Sequence, residues 1–348
     1  MTRRIKEDDR NLPTLSDVAV RAGVSTATVS RCLNSPAQVQ QVTRDRVMAA
    51  VADLGYSPNF GARALAARRT GTIGAIIPTM ENAIFARALQ AFQEELHQSG
   101  LTLLVASSSY RPEIEEEQIR TLVARGADAL FLIGHDRAET IYEFLDHRGV
   151  PALIAWVFDR AQGRISIGFD NRRSMAELAH EVLRQGHRDI AIISAFVEGN
   201  DRARARVEGV HDALRCHGLD PATIQLIETA YSFENGGAAL ARLFTGSRPP
   251  TAVICGNDVL AVGALQMARK LGLHVPRDVS ITGFDDIELA TVVEPALTTV
   301  HVPHREMGCE AARRLVATLA GQNPGTSTCL ETTLCLRATL APPVTRQG

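Results

Sequence analysis

The stretch LSDVAVRAGVSTATVSRCLN, residues 15–34, decides how the chain is read. Val18, Ala19 and Ala22 fall on one apolar stripe and Val29, Cys32 and Leu33 on another, the spacing of helices that each bury one face. Gly23 supplies a permissive backbone between them, and Ser25 is placed to cap the second helix by accepting an amide near Thr28. Two short helices joined by a tight turn predict a helix-turn-helix, which lays its second helix in the DNA major groove. With Val29 and Leu33 turned inward, Thr26, Ala27, Ser30, Arg31 and Asn34 are left on the outer side, where they can meet base edges and phosphates.

Charge points the same way. Residues 1–70 hold 11 Arg and Lys against 6 Asp and Glu, whereas the whole chain carries 37 against 39. A basic head on an acidic body implies a polyanion partner for the head alone. Residues 42–55 read as a third helix, with Thr43 as its cap, Val47, Val51 and Leu54 on its inner face and Gly55 as its stop. Residues 1–57 are thus a small all-α headpiece. Residues 58–71 are a hinge segment with too little apolar surface to fold alone, which becomes helical only against a partner.

From residue 72 the texture becomes an alternation of short β-rich runs and amphipathic helices, such as Phe85, Leu89, Phe92 and Leu96 at helical spacing. Strands are predicted at 73–78, 101–107, 129–133, 152–156, 190–195, 252–255 and 279–284. Such alternation implies α/β lobes with parallel sheets covered on both faces. So many units predict two doubly wound lobes over 72–348, with a break near 170 and a ligand cleft outside the strand ends.

With 348 residues, 45% of them hydrophobic, the chain can build several cores. Its six cysteines are scattered without a C-x-x-C pair, which suits a reducing cytoplasm. No signal-peptide pattern opens the sequence and no run is apolar for about 18 residues, so a cytoplasmic protein without a membrane partner is expected. The tail from Ala341 carries two prolines and no leucine heptads, which favours a dimer without a tetramerising coiled coil. There is no phosphate-binding loop, nucleophile elbow or dinucleotide fingerprint, so an enzyme is not expected. His301 and His304 flank a proline that breaks the geometry for a shared ion, so neither a metal nor a cofactor is expected.

As a set, these residues resemble the lactose-repressor and galactose-repressor (LacI/GalR) family of bacterial transcription regulators. The resemblance is carried by TLSDVAVRAGVSTATVSR at 14–31, LGYSPN at 54–59 with ARAL at 62–65, IGFDN at 167–171, GHRDI at 186–190 and RVEG at 206–209. CGNDVLAVGAL at 255–265, VPRDVSITGFDD at 275–286 and LTTV at 297–300 extend it. It implies a homodimer on palindromic double-stranded operator DNA. The body is then like a periplasmic sugar-binding protein, with the chain crossing back between lobes near 300 and 325. A solute-binding protein of periplasmic type without a regulatory role is the alternative.

On the DNA side the resemblance implies that Thr26, Ala27 and Arg31 read bases while Ser25, Thr28, Ser30 and Asn34 contact or support the backbone. Asn59, Ala62 and Leu65 belong to the hinge, Leu65 as a minor-groove wedge or else a core leucine, and Gly61 departs from good helix chemistry. In the cleft it implies that Phe85, Asp170, Arg206, Phe233 and Asp258 line an effector pocket for a small hydroxylated molecule: a sugar, polyol or sugar acid. The carboxylates accept from hydroxyls, Arg206 offers a fork of donors, and the aromatic rings cover an apolar face. Asp170 and Asp258 can equally cap the helices that follow them. Asn82, Trp156 and Arg202 are further candidates, as are Tyr110, His135 and Asp159, with Trp156 also readable as a strand-end core residue.

Overall fold

Local chemistry starts each helix of the headpiece. The Thr14 hydroxyl accepts the Asp17 amide at 3.3 Å and the Asp17 carboxylate accepts the Thr14 amide at 2.8 Å. This reciprocal cap satisfies two backbone donors and begins helix α1, Leu15–Ala22. Gly23 closes it with φ +64°. Ser25 Oγ then accepts the Thr28 amide at 3.2 Å to start α2, Thr26–Asn34. The third helix, α3, runs Gln41–Leu54. Thr43 is not its cap: the helix begins two residues earlier, after Gln40, which makes no side-chain capping bond. Val18, Ala19, Ala22, Val29, Cys32, Val47 and Ala50 close a core among the three.

The computed structural model describes residues 13–57, 69–159, 163–246 and 248–344. Residues 1–70 and 71–348 form two units, and each is treated by itself.

In the second unit, strands β1 (Thr72–Ile77), β2 (Thr102–Ser107), β3 (Ala129–Ile133), β4 (Ala152–Ala155) and β5 (Ser166–Gly168) alternate with helices α4 (Ala83–Gln98), α5 (Pro112–Ala124) and α6 (Glu139–Arg148). A second run follows: α7 (Asn171–Arg184), β6 (Ile190–Ser194), α8 (Asp201–Cys216), β7 (Gln225–Glu228), α9 (Phe233–Leu243), β8 (Ala252–Cys255), α10 (Asp258–Lys270), β9 (Ser280–Thr282) and α11 (Leu289–Val292). The chain closes with β10 (Thr299–His301), α12 (His304–Leu319), β11 (Thr328–Cys329) and β12 (Thr333–Cys335).

The strands form two parallel sheets, ordered β11-β5-β4-β3-β1-β2 and β7-β6-β8-β9, with β10 and β12 as an antiparallel pair. In the first sheet Ala75 lies between Val105 and Phe131, and β1 and β3 are buried throughout, as strands covered on both faces must be. The chain passes between lobes after β5, after β10 and after β11. The third passage falls at 330–332 rather than near 325, because Thr328 still pairs with Ile167 in the first sheet.

Two features fix how the lobes are built. Helices α4 and α12 lie so close that a Cβ on Gly308 would collide with the Ala88 carbonyl oxygen. At the base of the second lobe, the buried Asp258 carboxylate accepts the Ile287 amide at 2.8 Å and the Thr299 hydroxyl at 2.6 Å, which ties α10 to the passing strand β10. Burial, then the charge of Asp285, push this carboxyl up to about 8, against the pull of the Thr299 and Ile287 hydrogen bonds.

Gly308→Ala should destabilise the protein by about 1–3 kcal/mol in denaturant unfolding, because overpacking outweighs the gain in helix propensity; an unchanged midpoint would mean that α4 and α12 are not packed this closely. The Asp258 value in the fold lies above its reference of 3.8. Its proton-linked stability is therefore complete below that reference and lost as pH rises towards about 8. Asp285, raised to about 6 by burial, adds to the loss in the lower part of that window. Asp258→Asn removes the charge while keeping an acceptor, so it should flatten the fall of the thermal midpoint between about pH 5 and pH 8. A slope equal to the parent's would show that another group titrates.

Candidate functional site

The headpiece presents one polar face. Thr26, Ala27, Arg31 and Asn34 are exposed on α2, and Ser30 is half-buried beneath Asn34, whose amide donates to Ser30 Oγ at 3.2 Å. Ser25 is occupied as the helix cap, and its Oγ lies 2.9 Å from Thr28 Oγ1. Buried Val29 and Cys32 anchor the opposite face. Among the described residues Arg31 has no ion-pair partner, so its donors are available to an anion or a base edge. Asn59, Gly61, Ala62 and Leu65 lie outside the described residues.

The lobes enclose a small cavity of about 20 Å³. From the first lobe come Asn82, Ile84, Phe85, Tyr110 and Trp156; from the second come Asn200, Arg202, Arg206, Tyr231, Asn257 and Asp285. Asn82 and Phe85 are brought there by the start of α4, where Asn82 Oδ1 accepts the Ile84 amide at 3.2 Å. Phe85 and Trp156 pack at 5.0 Å between ring centres, and Tyr110 faces Tyr231 across the lobes at 5.7 Å. Arg206, on α8, is only 4% exposed. Its Nε donates to Asn171 Oδ1 at 2.9 Å and its Nη1 to the Gly256 carbonyl at 2.8 Å. Its guanidinium lies 4.0 Å over the Phe284 ring, and Nη2 stands 3.5 Å from Asp285 Oδ1. Burial raises the Asp285 carboxyl to about 6 despite the charge of Arg206. Asp285 Oδ1 and Trp156 Nε1 are buried without a hydrogen-bond partner, which marks them as groups that a ligand can satisfy.

Three expected cavity residues stand elsewhere. Asp170 is exposed and caps α7 by accepting the Arg173 amide at 2.9 Å. Phe233 is 41% exposed at the first turn of α9, and the neighbouring Tyr231 supplies the aromatic wall. Asp258 is turned away to hold Ile287 and Thr299, while Asn257 caps α10 by accepting the Leu260 amide at 2.9 Å. His135 and Asp159 lie outside the cavity: the Asp159 amide donates to Ser166 Oγ at 3.1 Å, and the His135 amide is bound by Asp201. His301 pairs with Asp286 at 3.0 Å whereas His304 stacks on Trp156, so the two rings serve different partners.

Residues missing from the sequence reading had partial signals. Asn200 and Tyr231 follow strands β6 and β7, and Asn257 and Asp285 lie inside the quoted motifs. Asn171 closes the quoted IGFDN motif: its Nδ2 donates to the Trp156 carbonyl at 2.8 Å while its Oδ1 holds Arg206, so one amide joins both lobes. Among the described residues, the non-glycine positions with positive φ are Ser109, Tyr110, Trp156, Asp285 and Asp286. Three line the cavity and the others adjoin them in sequence. Backbone strain of this kind gathers where surrounding structure enforces it for function.

Comparison with known proteins agrees with both halves. The bacterial regulatory proteins of the lacI family match residues 14–59, and a periplasmic binding protein-like domain matches residues 179–340. The HTH-type transcriptional regulator GntR of Escherichia coli K12 is 30% identical over 311 residues, 89% of this chain and 93% of that protein. The HTH-type transcriptional repressor PurR of Erwinia tasmaniensis is 33% identical over 308 residues, 88% of this chain and 90% of that protein. The lac repressor dimer bound to operator and the anti-inducer ONPF superposes with a TM-score of 0.84 at 28% identity, covering 94% of this chain and 99% of that one. No helix among the described residues is long and apolar enough to cross a membrane. The lacI-type headpiece match sets aside a solute receptor without a regulatory role, and full-length relatives at this identity place the chain in the LacI family: it is a DNA-binding transcriptional regulator rather than an enzyme.

Proposed function

We propose that the chain is a homodimeric repressor that binds a palindromic operator and lets go of it when a small hydroxylated effector, a sugar, polyol or sugar acid, occupies the inter-lobe cavity. One observation carries the effector half. Apolar ring faces and two unsatisfied polar atoms, a donor at Trp156 Nε1 and an acceptor at Asp285 Oδ1, meet in one inter-lobe cavity. A compact ring with hydroxyls on its rim supplies an apolar face, an acceptor and a donor together.

The dimer reading rests on exposed sheet edges. Leu104 and Val105 on the edge strand β2 are 38% and 39% exposed, and Leu226 on the edge strand β7 is 37% exposed. Open edges with apolar side chains call for a partner, and a second copy supplies one with two-fold symmetry. That symmetry gives the palindrome, with α2 of each copy reading one half-site.

A thermal-shift panel of sugars, polyols and sugar acids, followed by operator gel shifts with the compounds that stabilise, tests the reading. Trp156→Phe keeps an aromatic ring but removes the indole donor along with part of the ring volume, so it should retain operator binding while weakening the effector about tenfold or more. If no compound in the panel stabilises the parent or shifts the operator complex, the effector class is wrong. Arg31→Ala should weaken operator binding about tenfold or more while leaving effector-induced stabilisation intact; equal affinity for operator would remove Arg31 from the reading face.

A further inference from the structure

The cavity is shut on the side away from the crossing strands. Tyr110 and Arg202 line it, and both also line an outer recess of about 30 Å³. They form the wall between the two spaces. A molecule moving from the outer recess to the inner cavity has to displace that wall.

Two polar contacts between lobes hold the wall in place. The loop after β3, in the first lobe, meets the start of α8, in the second. The His135 amide donates to Asp201 Oδ2 at 2.5 Å, and Arg204 Nη2 donates to Asp136 Oδ1 at 2.8 Å. Arg204 is steadied by its own lobe, with Nη1 on the Val197 carbonyl at 3.1 Å. Asp201 also holds Arg202, whose Nη1 donates to its Oδ1 at 2.8 Å. Burial opposes the Asp201 charge, but Arg202 and the His135 amide outweigh it and hold the carboxyl below the ordinary range. The approach is tight enough that a Cβ on Gly134 would collide with Arg202 and Asp201, and Gly134 takes φ +72°. Tyr110 closes the same rim against Tyr231 from a left-handed backbone that a tyrosine adopts at a cost.

We infer that Asp136–Arg204 and His135–Asp201 form a latch that holds the two lobes together at the rim of the effector cavity, with the Tyr110 and Arg202 side chains as the gate it keeps shut. The inference rests on the effector reading for its purpose, yet the latch itself exists without effector. An ion pair partly open to water is worth a few-fold in a local opening equilibrium, and this one acts together with a shared carboxylate on the adjoining turn. The effector therefore binds a minor open state, and latch strength sets how often that state is offered.

Hydrogen exchange of the full chain without any effector, followed in peptides spanning 134–137 and 201–204, tests this. Asp136→Asn and Arg204→Gln keep side-chain size and should each speed exchange of the His135 amide about fivefold. The double variant should be no faster than the faster single, because both substitutions remove the same contact. Arg172→Ala, which breaks a pair with Asp212 wholly inside the second lobe, should leave the His135 amide at the parental rate. Parental exchange in both single variants, or additive effects in the double, overturns the latch. A panel in which no sugar binds would sink the effector reading and leave this measurement unaffected.

Discussion

A cation almost sealed from water stands where the two lobes meet, and the cleft depends on how Arg206 is kept satisfied. Its donors go to Asn171 and the Gly256 carbonyl, its flat face lies on Phe284, and its charge leans on Asp285. The four partners come from three elements: the start of α7, the turn after β8 and, for both Phe284 and Asp285, the segment after β9. An unpaired charge at this depth would cost several kcal/mol, about 3–5 when one partner of a buried pair is removed. The three elements are therefore held in one register by a single side chain. Asn171 extends that register to the first lobe through the Trp156 carbonyl, and so fixes the ring that walls the cavity.

Strain follows from the same constraint. Trp156 takes φ +65° with its carbonyl on Asn171, and Asp285 takes φ +106° where the chain turns from β9 towards the crossing. Neither residue gains from that conformation locally. Both are aimed into the cavity by it, and both carry a buried polar atom without a partner. The cleft thus combines an over-determined frame with buried polar groups left for a ligand to satisfy.

The headpiece was legible in the sequence because its determinants are local: the Thr14–Asp17 cap, the Ser25 cap and two apolar stripes act within a few residues of one another. The strand-helix alternation was legible for the same reason, and β5, β7 and β10 to β12 escaped because polar residues interrupt these short runs, whereas the equally short β4 and β8 are apolar throughout. In the cleft, Phe85, Trp156, Asn82, Arg202 and Arg206 could be placed because they follow strand ends or sit in family motifs. Asp170, Phe233 and Asp258 went astray because a side chain next to the right backbone can point either way. A cap on α7 claimed Asp170, and a staple to β10 claimed Asp258. Asn171 stood in the IGFDN motif, but its role could not be read, since its two partners lie 15 and 35 residues away.

The acid that left the cavity is still coupled to it. Asp285 faces the ligand space, and its charge is the second cause, after burial, that raises Asp258. Asp258 in turn grips Thr299 on β10 and the Ile287 amide, the segments through which the second lobe continues into the first. A hydroxyl donated to Asp285 stabilises its carboxylate form, and a fixed negative charge there makes Asp258 harder to ionise. With its carboxyl pushed up to about 8, Asp258 already meets β10 mostly as a neutral carboxyl near pH 7, and the charge of Asp285 helps to keep it so. Chemistry in the cleft thereby reaches a crossing strand through two carboxyl groups, with no need for the ligand to touch that strand. Shape change is the other route, since a ligand bridging Phe85 and Asp285 binds best at one inter-lobe angle.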